Sequence, residues 1–298
     1  MLLLLLLLLL LNLTTSTRPP PTLRPKVEAL LWDVYKEGMR PPVRKYHINM
    51  VTDYHAIADG IFDNTLKFQN ALKDASKWNA ANDNRGVNIL FPIAGHTSIF
   101  LTAPINLTSH VTLTVASGVT LLASDDESLW PVVPPLISYG TGRDHAGPRR
   151  APFIGGLHLK DVVITGPGKI DGAGQAWWQR HQSGHEKYTR GRLIEFLWTD
   201  GILIDDIQLT NSPFWTVHPT YCSNVVARHL YIDNPIDAPN TDGFDPDSTI
   251  NVSLVDSIFS VGDDGVAIKS GWDCYGIDVG IPTKNVRGTH SNRQVGCV

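Results

Sequence analysis

Cysteine is scarce in this 298-residue chain, occurring only at Cys222, Cys274 and Cys297. At most one disulfide can close within the chain, so bridges do not hold the fold together. The spacing fits no zinc pattern, and buried or unpaired thiols are the expected state. Charge is sparse too: charged residues make up 18% against 42% hydrophobic, with a formal net charge of -4. That composition is globular rather than disordered. It lacks the basic footprint of a nucleic-acid binder, although a local basic cleft for a polyanion is compatible with such a total. Long apolar runs are missing except for the leucines at 2–11. Ten residues are short for a membrane span of about twenty and suit the apolar region of a signal peptide. The flanks fit less well, since no Lys or Arg precedes the run and no clear A-x-A site follows it. A short anchor is the weaker reading, and no stable membrane insertion is expected. Together with the Thr-, Pro- and Arg-rich residues 14–25, the run forms a leader-plus-linker segment, 1–25, and secretion is the expectation. The sequons Asn106-Leu107-Thr108 and Asn251-Val252-Ser253 are compatible with it.

One helix is predicted near the start of the remaining chain. Asn64 or Thr65 can cap it, and Leu66, Phe68, Ala71, Leu72 and Ala75 follow at helical spacing. After it, short β-branched segments dominate, bounded by Gly, Asn, Asp or Pro, and they repeat. Lys160-Asp161-Val162-Val163-Ile164 resembles Asp200-Gly201-Ile202-Leu203-Ile204. The same pattern returns in Ser223-Asn224-Val225-Val226-Ala227 and Ile250-Asn251-Val252-Ser253-Leu254. A period in the twenties, with one strand and one Asn or Asp turn per unit, marks a stacked β-solenoid. The Asn residues are placed to stack from coil to coil. A β-sandwich is the competing fold, but its hairpins would call for two-residue Asn-Gly or Asp-Gly turns between the segments. Residues 131–152, rich in Pro, Gly and Arg, read as a long loop, because the repeat resumes after them.

The densest acidic cluster is Asn240-Thr241-Asp242-Gly243-Phe244-Asp245-Pro246-Asp247, followed by Gly262-Asp263-Asp264-Gly265. Asp242 and Asp263 are about one coil apart, which on a solenoid puts them on neighbouring coils a strand spacing of about 4.8 Å apart. Asp264 joins them. Such a group suits glycoside hydrolysis, in which one carboxyl donates a proton to the leaving oxygen and an ionised one activates water. Crowding carboxylates raises at least one pKa. The plainer reading is turn chemistry, in which Asp bonds its own backbone. A calcium loop is disfavoured by the ligand spacing.

Asn240-Thr241-Asp242-Gly243 followed one coil later by Gly262-Asp263-Asp264 resembles glycoside hydrolase family 28, the polygalacturonases. Ser212-Pro213-Phe214-Trp215-Thr216-Val217-His218-Pro219 is similar to that family's S-P-x-W-x-x-H segment. Trp130-Pro131, Gly172-Ala173-Gly174-Gln175-Ala176-Trp177-Trp178 and Lys269-Ser270-Gly271-Trp272-Asp273-Cys274-Tyr275-Gly276 resemble its plant-type branch. The resemblance runs from about residue 48 to 283. It implies an all-β, single-stranded, right-handed parallel β-helix with a short N-terminal capping helix. It further implies a secreted, monomeric cell-wall enzyme that hydrolyses the α-1,4-linked galacturonate backbone of pectin with inversion. By the same resemblance Asp263 is the general acid, Asp242 and Asp264 hold and activate water, Asn240 lies near the substrate, and no metal or organic cofactor is expected. A pectate-lyase-like enzyme would share the fold but needs a basic proton acceptor, which the acid cluster does not supply.

Departures from the family pattern are also present. Gly265 stands where many members have Cys. Asp53-Tyr54-His55-Ala56-Ile57-Ala58-Asp59-Gly60 is a loose version of the family's opening motif. Neither the Gly-His-Gly nor the Arg-x-Lys that the family's later coils carry is found after Asp264, and His290 lacks matching flanks. The expected organisation is therefore 1–25 leader and linker, 26–284 β-helix hydrolase domain incomplete at its C-terminal side, and 285–298 an atypical tail. An inactive β-helix that at most binds pectin is the alternative function.

Overall fold

The computed structural model describes residues 41–140, 147–289 and 292–294. The leader and linker, His290 and Cys297 lie outside them. No helix among the described residues is long and apolar enough to cross a membrane.

The repeat closes into a parallel β-helix with three faces. The first face stacks Val111–Val115, Lys160–Thr165, the leading halves of Asp200–Thr210 and Ser223–Asp233, and then Ile250–Val255. Ile202, Leu203 and Ile204 pair in parallel with Val225, Val226 and Ala227, and these with Val252, Ser253 and Leu254. That is the pairing expected from the sequence repeat, and it excludes a sandwich. The two eleven-residue strands run on around a corner into the second face, where they pair with Lys169–Asp171 and Ile258–Ser260. Asp206, His229 and Asp256 occupy that corner with positive φ, a conformation tolerated best by short polar side chains such as Asp and Asn. The third face stacks Ile105–Asn106, Ile154–Leu157, Ile194–Leu197 and Val217–Thr220. Bridges at Phe244, Asp247, Val266 and Lys269 continue it.

Inward residues alternate along each strand and form apolar columns through the stack; Val162, Ile202, Val225 and Val252 are all buried. At the turn before the first face, Asn224 Nδ2 donates to Asp200 Oδ1 (2.7 Å), Asn251 Nδ2 to Asn224 Oδ1 and Asn285 Nδ2 to Asn251 Oδ1 (both 3.0 Å). This is the coil-to-coil ladder that the repeated Asn suggests.

The N-terminal helix is Thr65–Ala81, which buries Phe68, Ala71, Leu72 and Ala75 and packs Phe68 edge-on against Phe91. Two details differ from expectation. Leu66 is 67% exposed. Asn64 does not cap the helix with its side chain; instead that side chain bonds Ile57, Phe62 and Leu101 backbone groups. The adjacent Asp63 accepts from the Thr65 N–H at 2.8 Å and from the Thr65 hydroxyl. Either carboxamide or carboxylate can satisfy an orphan helix N–H, and the buried Asn64 is taken by the solenoid wall.

The tail requires a larger correction. Lys284–Thr289 pairs with Ile250–Val255, and Asn292–Gln294 with Ile258–Ser260, both in parallel. Val286 is in register with Val252 and packs against the core, while Asn285 extends the Asn ladder. One inward aliphatic and one turn Asn suffice for another coil, so a polar segment can join the stack.

Within residues 131–152, Val132–Val133 and Arg149–Arg150 form an antiparallel pair. Residues 136–139 lie across the outer surface of the third face. Leu136 and Tyr139 join Phe214, Trp215 and Tyr221 in a small second core. Tyr139 Oη donates to Asp247 Oδ2 (2.7 Å), and Trp272 N–H donates to Ser138 O (2.8 Å). Gly271 passes so close beneath this segment that a Cβ would sit 2.6 Å from the Ser138 Cβ, and its φ is +79°. Only glycine meets both demands.

Candidate active site

Asp242, Asp263 and Asp264 sit at the entry to the third face, two or three residues ahead of the bridge Phe244↔Val266, which Asp247↔Lys269 follows. Both bridges span 22 residues (266 − 244 and 269 − 247). Asp264, also 22 residues on from Asp242, is therefore its direct coil neighbour, and Asp263 lies on the diagonal. The Gly243 N–H donates to the Asp264 carbonyl at 2.8 Å, which fixes the register. One oxygen from each of the three carboxylates lies within 4.8 Å of the others; Asp242 is buried, while Asp263 and Asp264 are exposed. The one-coil offset of Asp242 and Asp263 in the sequence predicts such adjacency, a strand spacing apart. The same three oxygens are near enough to share a cation, but the ammonium next to Asp242 offsets part of the charge that would attract one.

That ammonium is Lys269, which the sequence reading passed over. Its Nζ lies 3.1 Å from Asp242 Oδ2 and 3.1 Å from Asp245 Oδ1, and 4.3 Å from the centre of the Trp215 ring. Burial works against its charge, yet the carboxylates of Asp245 and Asp242 outweigh it and raise its pKa. Asp245 was likewise unassigned. It is fully buried, and its Oδ2 has no hydrogen-bond partner. Burial, followed by repulsion from Asp242, raises its pKa well above the usual carboxylate range. Asp242 is also raised, first by burial and then, against the pull of Lys269, by Asp263. A raised carboxyl in the cluster was anticipated from crowding; desolvation is the larger cause.

Asn240 does reach the cluster. Its Nδ2 lies 3.4 Å from Asp263 Oδ2, and its Oδ1 accepts from Arg190 Nη2 at 2.7 Å. Arg190 is buried and also donates to the carbonyls of Pro213 and Pro239, so a guanidinium sets the orientation of the amide that faces Asp263. Its signal in the sequence is faint, an Arg-Gly-Arg segment 50 residues upstream of Asn240.

The other motif residues build support rather than the reacting surface. His218 is buried, 2.9 Å from Glu195 Oε1 and 3.2 Å from Asp247 Oδ2. Glu195 also faces Arg149 at 2.7 Å and Arg192 at 3.5 Å. Trp177 and Trp178, in the helix Gln175–Gln182, are buried; Trp130 stacks edge-on with Trp177 at 5.0 Å. Cys222 is buried, and burial pushes its thiol up to about 12; Cys274 is exposed.

Fold and site together define a parallel β-helix protein that gathers three carboxylates on one face. The family described as "Glycosyl hydrolases family 28" matches residues 93–290, and the chain belongs to it. It is 45% identical over 241 residues to a protein of Vitis vinifera described as "Probable polygalacturonase", covering 80% of this chain and 48% of that protein. It is 33% identical over 188 residues to "Endo-polygalacturonase" of Pectobacterium parmentieri, covering 59% and 46%. Among solved structures, the exopolygalacturonase of Thermotoga maritima superposes with a TM-score of 0.70 at 25% identity, covering 90% of this chain and 66% of that one. The polygalacturonase of Erwinia carotovora ssp. carotovora gives 0.65 at 26% identity, covering 86% and 64%. The chain spans about half the length of the curated relatives it matches.

Proposed function

We propose that this protein hydrolyses the α-1,4-galacturonosyl linkages of pectin or polygalacturonate as a secreted, monomeric cell-wall enzyme. The observation that carries the reading is the convergence of Asp242, Asp263 and Asp264 within 4.8 Å in a member of a glycosyl hydrolase family. Asp263, held by Asn240, donates the proton to the leaving glycosidic oxygen. Asp242 and Asp264, direct neighbours on adjacent coils, take the proton of the attacking water. No step calls for a metal or an organic cofactor. The test is release of reducing ends from polygalacturonate by the purified chain; none at any pH from 4 to 7 would overturn the reading in favour of a pectin-binding β-helix.

Inversion follows from the family resemblance rather than from spacing. Two-carboxylate glycosidases invert when the pair is roughly 6.5–9.5 Å apart and retain when it is about 5–5.5 Å apart. A three-carboxylate cluster this tight falls outside that rule, because two of its members face one water. Proton NMR of the first product should show the β-anomer from the α-linked substrate. An α-anomer appearing first would instead make one of the aspartates a nucleophile.

Lys269 favours the charged form of Asp242 and offsets part of the effect of burial. Lys269→Met removes the closest opposing charge, so the Asp242 pKa rises further. The ionised fraction at mildly acidic pH then falls, and the acidic limb of the kcat/KM profile should move to higher pH. An unchanged limb would show that Asp242 does not act as the ionised base.

A further inference from the structure

We infer that Asn106 is an N-glycosylation site and that Asn251, the second sequon among the described residues, stays bare in the folded protein. Both tripeptides fit the N-x-S/T pattern, and the fold separates them. Asn106 closes the two-residue strand Ile105–Asn106, which among the described residues pairs with Ile154–Leu157 alone. Its neighbours Ile105 and Leu107 are 2% and 5% exposed and donate their N–H groups to Phe153 and Gly155 carbonyls, both at 2.7 Å. Strand alternation therefore turns Asn106 outward, and it is exposed. Its carboxamide makes no hydrogen bond among the described residues, so Nδ2 carries a sugar without breaking a contact.

Asn251 is placed in the opposite way. It sits at φ +59° in the ladder, where its Nδ2 donates to Asn224 and its Oδ1 accepts from Asn285, both at 3.0 Å. Val252 and Ser253, which complete this sequon, are 0% and 1% exposed. Adjacent coils lie about 4.8 Å apart, and a sugar on Asn251 Nδ2 would stand where Asn224 now lies. A molecule modified there cannot stack its coils.

In the transfer, Asn106 Nδ2 forms a bond to the anomeric carbon of a lipid-linked oligosaccharide diphosphate. The bond from that carbon to the diphosphate oxygen breaks, the lipid diphosphate leaves with the electron pair, and one Nδ2 proton goes to a base of the transferase. The glycan would stand at the rim of a cavity of about 330 Å³ that Asn106 shares with Leu157, Arg149 and Glu195. Along the third face the register runs Asn106, Gly155, Glu195, His218, with Asp245 one coil further. Four coil steps, on the order of 20 Å, separate the attachment point from the acid cluster.

The full chain is expressed in a eukaryotic secretory host, and the soluble secreted protein is treated with peptide N-glycosidase in heavy-oxygen water. The expected result is a heavy-oxygen Asp at position 106, an unlabelled Asn251, and a gel shift lost in both Asn106→Gln and Thr108→Ala. The second variant removes the sequon while keeping the Asn106 side chain. Soluble secreted protein with a bare Asn106, or with a glycan on Asn251, overturns the inference. If residues 1–25 do not direct export, the same chain behind a heterologous signal is read in the same way. The readout is a mass, so it stands or falls independently of the hydrolase reading.

Discussion

Asp263→Asn is expected to lower reducing-end release from polygalacturonate by about 10²–10⁴-fold, the usual contribution of a positioned general acid. Asn has the size of Asp, and Asp263 is exposed, so the fold should survive. Its Oδ1 accepts the Asp264 N–H at 3.0 Å, a bond the amide oxygen of Asn keeps. What is lost is the transferable proton. Asp242→Asn and Asp264→Asn should each cost a comparable factor, and the triple variant little more than any single one, because groups that act as a unit are not additive. Circular dichroism and the unfolding midpoint separate this outcome from misfolding. A variant with activity within tenfold of wild type and an intact fold would remove Asp263 from the chemistry.

The periodic features were legible because each coil repeats a local rule. One strand core, one turn Asn or Asp and an apolar inward column recur at 23 and 27 residues, and the register of Val225 with Ile202 and Val252 could be written down from spacing alone. The acids were legible for the same reason, since a one-coil offset along the chain becomes adjacency in space. Groups that meet across coils without a repeat were not legible. Arg190 orients Asn240 from 50 residues away, Tyr139 reaches Asp247 across 108, and nothing in either local sequence announces its partner. Asp245 and Lys269 lie inside recognisable motifs, but their role depends on which carboxylates are dry, and that is set by packing. The tail was misjudged because a largely polar segment gives little apolar signal, yet Val286 falls in register with Val252 and packs against the core.

Glu195 carries the largest expected effect on stability. It is fully buried and faces Arg149 at 2.7 Å, His218 at 2.9 Å and Arg192 at 3.5 Å. Glu195→Ala leaves two guanidinium groups side by side without that carboxylate, in a site whose Arg149 and Arg192 side chains are only 6% and 2% exposed. Breaking a buried ion network by removing one member costs about 3–5 kcal/mol, and each kcal/mol lowers the midpoint of a domain this large by roughly 2–4 °C. Calorimetry should therefore show a drop on the order of 10 °C; a drop under about 2 °C would mean that water or rearrangement already compensates the network. The pH dependence fixes the sign. Burial alone would raise the Glu195 pKa, but Arg149 and Arg192 outweigh it and hold the group far below its ordinary value. A depressed carboxylate contributes stability that is full above its unfolded pKa of about 4.3 and is lost as pH falls toward the folded value. The gap between wild type and Glu195→Ala should thus be constant above about pH 5 and close only in stronger acid. Asp245 acts in the opposite sense. Its raised pKa favours the folded state below about pH 3.9, and that advantage is lost as pH rises through the folded value. Asp245→Asn should therefore raise the midpoint near neutrality and leave it unchanged near pH 3. A midpoint that rises equally at both pH values would show that packing rather than charge sets its cost.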